Sequence, residues 1–137
     1  MAARKARIFI SYAAADKRSA QQLAEALRGE SLDVWTDESL SPGENWRERI
    51  ADALAQSDAM VVLLTPRSVE SELVLRDVEY ALSSKRFENR LIPVVIGEER
   101  APWLDKAPWV LKHLLMVSSP SAAKASKRVA DALKKAG

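Results

Sequence analysis

The chain has 137 residues, a length typical of one domain with a full hydrophobic core. Its 47% apolar and 29% charged content argues against disorder, and a net charge of +2 gives no reason to expect nucleic acid or an acidic membrane as a partner. The lack of cysteine excludes disulfides and thiolate metal sites, and we expect no metal centre. Without an apolar signal region or a membrane-length apolar run, the sequence predicts a soluble, cytoplasmic single domain covering 1–137, with its core at about 6–136.

The first half of the chain predicts two strands, each followed by a helix. Arg7–Tyr12 is a short apolar strand, and Asp16 is placed to cap a helix that Gly29 would end with a left-handed residue. Leu32–Thr36 is a more polar strand, which favours a position near the edge of a sheet. Residues 37–45 contain Pro-Gly and show no periodicity, so they predict a long loop before the second helix. The apolar positions of the two helices are Ala20, Leu23, Ala24 and Leu27, then Trp46, Ile50, Ala53 and Leu54.

The second half begins with the most apolar run of the chain, Ala59–Leu64, which predicts a strand buried on both faces. Ser71 is placed to cap the next helix. Leu91–Ile96 predicts a fourth strand, with Pro93 suited to a strand start or a bulge, and Leu114–Val117 predicts a last short one. The apolar stripes of the two helices are Val74, Val78, Ala81 and Leu82, then Ala125, Val129, Ala130 and Leu133.

Alternating strands and helices of these lengths predict a doubly wound, five-stranded parallel sheet with helices on both faces. The expected strand order is 2-1-3-4-5, which places the topological switch point between the first and third strands. The loops Ser11–Asp16 and Thr65–Ser71 should meet there. The glycine patterns of dinucleotide-binding Rossmann domains and of P-loop nucleotidases are absent. A phosphorelay receiver is excluded because Thr65-Pro66-Arg67 stands where its phosphorylated aspartate would be.

Several segments, taken together, resemble a bacterial Toll/interleukin-receptor (TIR) domain over nearly the whole chain. They are Ile8-Phe9-Ile10-Ser11-Tyr12 with Asp16, Val34-Trp35-Thr36-Asp37, Gly43-Glu44-Asn45-Trp46, Ile50-Ala51-Asp52-Ala53-Leu54, Val62-Leu63-Leu64-Thr65-Pro66, Ser71 with Val74, Glu79-Tyr80-Ala81-Leu82 and Leu91-Ile92-Pro93-Val94. The resemblance implies a flavodoxin-like fold. It also implies one of two functions: cleavage or cyclisation of NAD, often in antiphage defence or virulence, or a non-catalytic scaffold that self-assembles through its loops, here 37–45.

Enzymatic members of the family carry the pattern S-x-W-V-x-x-E on the helix after the third strand. In the register set by Ser71 and Val74, Leu73 stands in place of the tryptophan and Asp77 in place of the glutamate. The resemblance also implies that Ser11, Tyr12, Asp37, Trp46 and Leu73 surround NAD, which would be a substrate and not a cofactor. Tyr12 has a second interpretation as a plain aromatic at the end of the strand, and Trp46 as an anchor of the long loop.

Two carboxylates compete for the catalytic role. Asp77 is favoured by the family register and by its place on the flank of the helix's apolar face, beside Leu73. Glu79 is favoured by the identity of its side chain, but it lies on the opposite flank, further towards solvent. A third interpretation treats both as solvated charges, with Arg76 forming a surface ion pair.

Overall fold

The described residues of the computed structural model are 6–36, 46–83, 90–97, 101–107, 111, 114 and 116–136, with 46–50 and 134–136 described by their backbone. They form five strands and four α-helices. These are β1 (Arg7–Ser11), α1 (Lys17–Gly29), β2 (Asp33–Thr36), α2 (Trp46–Ala55), β3 (Ala59–Leu64), α3 (Glu72–Leu82), β4 (Leu91–Ile96), β5 (Val117–Ser119) and α4 (Ala122–Ala136). Short 3-10 helices cover Ala14–Asp16, Ser68–Glu70 and Pro102–Lys106.

The strands form one parallel sheet in the order β2-β1-β3-β4-β5, as the sequence predicts. The apolar strand β3 lies at its centre, and the more polar β2 lies at one edge. Pro93 sits inside β4 opposite Val62, but the ladder between β4 and β5 begins only at Val94. The missing N–H of the proline therefore falls outside the pairing with β5.

The sheet separates two hydrophobic layers, because successive residues of a strand point to opposite faces. Ile8 and Ile10 of β1 belong to the core shared with α1 and α4. Phe9 belongs to the core shared with α2 and α3. The whole of β3 is buried and contributes alternately to both layers. This explains why its sequence reads as a continuous apolar run.

Two local predictions are wrong. The left-handed residue after α1 is Ser31, with φ 64°, and not Gly29, which is the last residue of the helix. The chain turns two residues later than the glycine rule suggests, after Glu30 and Ser31 have bonded back to carbonyls of the last helical turn. The last strand covers Val117–Ser119 instead of Leu114–Val117, because the chain joins β4 only from Val117 onwards.

Within the described ranges, none of the helices combines the length and the apolar character that a membrane-spanning segment requires.

Candidate active site

A buried pair of polar side chains links the first strand to the third helix. Ser11, the last residue of β1, is fully buried, and Asp77 of α3 is 1% exposed. The Ser11 hydroxyl donates a hydrogen bond of 2.7 Å to Oδ2 of Asp77. Ser11 follows Phe9 by two positions and so faces the α2–α3 layer, where Asp77 meets it. The pair lies near the carboxyl end of β1, beside the switch point.

The helix α3 presents Asp77 to the sheet because its buried positions fall on one face. That face carries Val74, Val78 and Ala81 with Asp77 beside them. Ser71 fixes the start of the helix, since its Oγ accepts a hydrogen bond of 3.4 Å from the backbone N–H of Val74. This confirms the predicted cap. A carboxyl group in such a position is costly unless it is hydrogen-bonded, so the bond from Ser11 is part of what keeps Asp77 inside.

The rival carboxylate is in a different environment. Glu79 is exposed, whereas Asp77 is buried. The interpretation of both as solvated charges therefore holds for Glu79 alone. Leu73, in the family's tryptophan position, has 49% of its surface exposed. The structure thus brings Ser11 and Asp77 together and leaves Leu73 and Glu79 at the surface of the same helix.

A second polar cluster joins the two loops at the switch point. The carboxylate of Asp16 accepts hydrogen bonds from Thr65 Oγ1 and from Arg67 Nε, the latter at 2.7 Å. The hydroxyl of Thr65 in turn accepts the backbone N–H groups of Arg67 and Ser68, at 3.2 and 3.1 Å. The loop before α1 and the loop before α3 are therefore tied through one buried carboxylate.

This cluster corrects the prediction for Asp16. The residue stands at the N-cap position of α1, but its side chain makes no capping hydrogen bond. The competing partners are a hydroxyl and a guanidinium from the other loop, and hydrogen bonds to a charged donor are stronger than those to a backbone amide. Sequence reasoning placed the two loops together but missed this pairing. The signal was an acid in one loop and an arginine in the other.

The remaining predicted site residues lie elsewhere or outside the description. Tyr12 is 6% exposed and packs in the core of α1 and α4, across the sheet from Asp77. Asp37 and the loop 37–45 lie outside the described residues. Trp46 is the first residue of α2, and its side chain is not among those described. Within the described part of the chain, no group of three or more potential metal ligands is found.

Comparison with known proteins agrees with this architecture. The family model described as "TIR domain" matches residues 8–125, which is most of the chain. The chain belongs to the TIR domain family. A curated relative, the NAD(+) hydrolase TcpA of Theionarchaea archaeon (strain DG-70-1), is 36% identical over 97 residues. That alignment covers 68% of this chain but only 29% of the archaeal protein.

Solved structures show the same TIR fold in animal receptors. The TIR domain of the Toll-related receptor TRR-2 from Hydra magnipapillata has a TM-score of 0.70 at 18% identity, covering 94% of this chain and 96% of that one. A TIR-STING receptor from C. gigas, in complex with 2',3'-cGAMP, has a TM-score of 0.76 at 22% identity, covering 92% of this chain and 38% of the receptor. At these identities the likeness concerns the fold.

Proposed function

We propose that this TIR domain cleaves NAD at the bond between nicotinamide and ribose. The products would be nicotinamide and either ADP-ribose or a cyclic isomer of it. The observation that carries the proposal is the carboxyl group of Asp77, held by Ser11 beside the switch point, where ligands bind in open parallel sheets. The archaeal relative named as an NAD(+) hydrolase supports the choice of substrate.

The reaction needs one carboxylate and no general acid. The bond between C1 of the ribose and the pyridinium nitrogen breaks, and its electron pair stays on that nitrogen, so nicotinamide leaves as a neutral molecule. The ribose is left with oxocarbenium character, which a nearby negative charge stabilises. Water then attacks C1 and releases a proton to solvent, which gives ADP-ribose, or an atom of the adenine ring attacks C1 to give a cyclic product. Asp77 would provide the negative charge.

The departures from the family pattern limit the expected rate. Aspartate is one methylene shorter than the family's glutamate, and a displacement of about 1 Å can lower a rate roughly a hundredfold. Leu73 offers the nicotinamide no aromatic surface. Because Asp77 is only 1% exposed, the ribose can reach its carboxyl group only after neighbouring side chains move. We therefore expect slow turnover by the isolated chain and faster turnover when assembly or a partner opens the site.

A second candidate function is a TIR scaffold without catalysis, acting through self-association or binding to other TIR domains. The exposed surface of α3 favours it, since Leu73 and Tyr80 are 49% and 43% exposed and lie seven residues apart on one side of the helix. The loop 37–45, which the resemblance implies as a docking element, lies outside the described residues. The two functions are compatible if assembly completes the active site. A role in bacterial antiphage signalling is the biological setting that we propose for either.

The test is to incubate the purified chain with NAD and separate the products by chromatography. We expect a nicotinamide peak that grows with time and with protein concentration, and more steeply when crowding agents promote assembly. The second product would distinguish hydrolysis from cyclisation. If no nicotinamide is released at high protein concentration, with or without crowding agents, the proposal is wrong and the scaffold function is favoured.

A further inference from the structure

At the switch point, the partly exposed side chain of Arg67 forms an ion pair with the buried carboxylate of Asp16. The Asp16 side chain has no exposed surface, whereas that of Arg67 is 57% exposed. Both Nε and Nη2 of Arg67 lie 2.7 Å from the same oxygen, Oδ1 of Asp16. Among the described residues, these atoms and the backbone N–H account for the polar contacts of Arg67, and none involves Nη1. The guanidinium is thus fixed along one edge and open along the other.

The carboxylate behind the arginine determines its orientation. A guanidinium on a free side chain loses conformational entropy when it binds a ligand, and a preorganised one loses less. Asp16 also neutralises the charge of Arg67, so attraction for an anion would come from directed N–H donors more than from net charge. Arginine in this arrangement suits the oxygens of a phosphate, which accept two hydrogen bonds from one guanidinium.

Arg67 lies further out than Asp77, in the direction in which the diphosphate of a bound dinucleotide would extend. Ser11, which holds Asp77, lies opposite Val62 in the sheet. Thr65 anchors the loop that carries Arg67. It comes three residues after Val62, or roughly 10 Å further towards the carboxyl ends of the strands. A nicotinamide ribose beside Asp77 would therefore have the rest of the dinucleotide extending outwards, with its phosphates nearer to solvent.

We propose that Arg67 binds the diphosphate of the dinucleotide, oriented for this by Asp16. The inference rests on the proposed function for the identity of the ligand. It adds a binding residue that lies outside the pattern on α3 and that the resemblance does not supply. The alternative is that the ion pair only ties the two loops together.

The experiment measures binding without turnover. ADP-ribose keeps the diphosphate but has no nicotinamide to release, so its affinity can be determined by isothermal titration calorimetry. Arg67→Gln should weaken binding about tenfold, the effect of losing one charged hydrogen-bonding group. Arg67→Lys should weaken it less, because lysine keeps the charge but not the fork of donors. The matched control is Arg128→Gln, since Arg128 is also exposed and also holds a 2.7 Å hydrogen bond, to the carbonyl of Ser118 on β5.

Each outcome decides the matter. Weaker binding in both Arg67 variants, with Arg128→Gln unchanged, supports the proposal. Unchanged affinity in Arg67→Gln, even with a lower melting temperature, shows that the ion pair only ties the loops and overturns it. Failure of the unsubstituted protein to bind ADP-ribose also overturns it. If Arg67→Gln does not fold, an affinity of Arg67→Lys equal to that of the unsubstituted protein is the contradicting result. Nicotinamide release, measured separately, shows whether the proposed function fails by itself.

Discussion

We expect the hydrogen bond between Ser11 and Asp77 to make a measurable contribution to stability. Replacing Ser11 with alanine removes the hydroxyl that donates a hydrogen bond of 2.7 Å to the carboxyl group of Asp77. Because Asp77 is only 1% exposed, water cannot readily replace that hydroxyl. A hydrogen bond to a charged group contributes about 1.5–3 kcal/mol, and we expect Ser11→Ala to lower the free energy of unfolding by that amount. Asp77→Asn should cost less, because the amide oxygen still accepts from Ser11 at nearly the same volume.

Urea denaturation of the two single variants and of the double variant measures the coupling directly. In the Asp77→Asn background, Ser11→Ala removes a bond to a neutral amide instead of a carboxylate and should cost less, so we expect a coupling energy of about 1 kcal/mol. If the slope of the unfolding free energy against urea concentration is the same in the variants as in the unsubstituted protein, the folded state is preserved. Ser118→Ala is the control, since Ser118 also lies in a strand but its hydroxyl donates a hydrogen bond of 3.2 Å to the carbonyl of Gly97 in an exposed position. If Ser11→Ala costs no more than Ser118→Ala, the buried pair does not act as described.

Three further predictions concern the surroundings of the pair. Asp77→Glu should retain or raise nicotinamide release, because it restores the family's side-chain length, while the extra methylene in a buried position lowers stability by about 1–3 kcal/mol; complete loss of activity in a folded variant would contradict this. Asp16→Asn should lower the unfolding free energy by about 1.5–3 kcal/mol through weaker bonds to Thr65 and Arg67, and a urea curve that coincides with the unsubstituted one would contradict it. The hydrogen bond from Lys106 and then its charge lower the pKa of Glu70, so Lys106→Met should raise that pKa towards its ordinary value in an NMR titration of the carboxyl carbon. Because the pKa is lower in the folded state, the stabilisation from this exposed pair is present above the ordinary pKa of glutamate and is lost as the pH falls through the lowered value.

The arrangement of the sheet could be predicted from the sequence because strands that are buried on both faces consist of apolar residues, whereas edge strands include polar ones. The run Ala59–Leu64 is apolar throughout because β3 has a layer on each face, whereas Asp33 and Thr36 mark β2 as an edge strand. The order of the strands then follows from the rules for parallel crossovers. Helical spacing likewise placed Asp77 towards the core and Glu79 towards solvent.

Contacts between distant segments were harder to predict. Ser11 was assigned to the ligand, but the structure pairs its hydroxyl with Asp77, which is 66 positions away. Asp16 satisfies the local rule for a helix cap, yet its carboxylate binds Arg67, which is 51 positions away. A local pattern gives the preference of a residue for its neighbours in sequence. It cannot weigh that preference against a stronger partner that the fold brings from another loop.

The account depends most directly on the charge of Asp77, and the rate of nicotinamide release by Asp77→Asn tests it. This substitution preserves the shape of the side chain and its bond from Ser11 but removes the negative charge that would stabilise the oxocarbenium ion. We expect the rate to fall by roughly a hundredfold or more with little change in folding, whereas Glu79→Gln, on the exposed side of the same helix, should leave the rate unchanged. A silent Asp77→Asn together with an inactive Glu79→Gln would place the catalytic carboxylate two residues further along the helix and contradict the account.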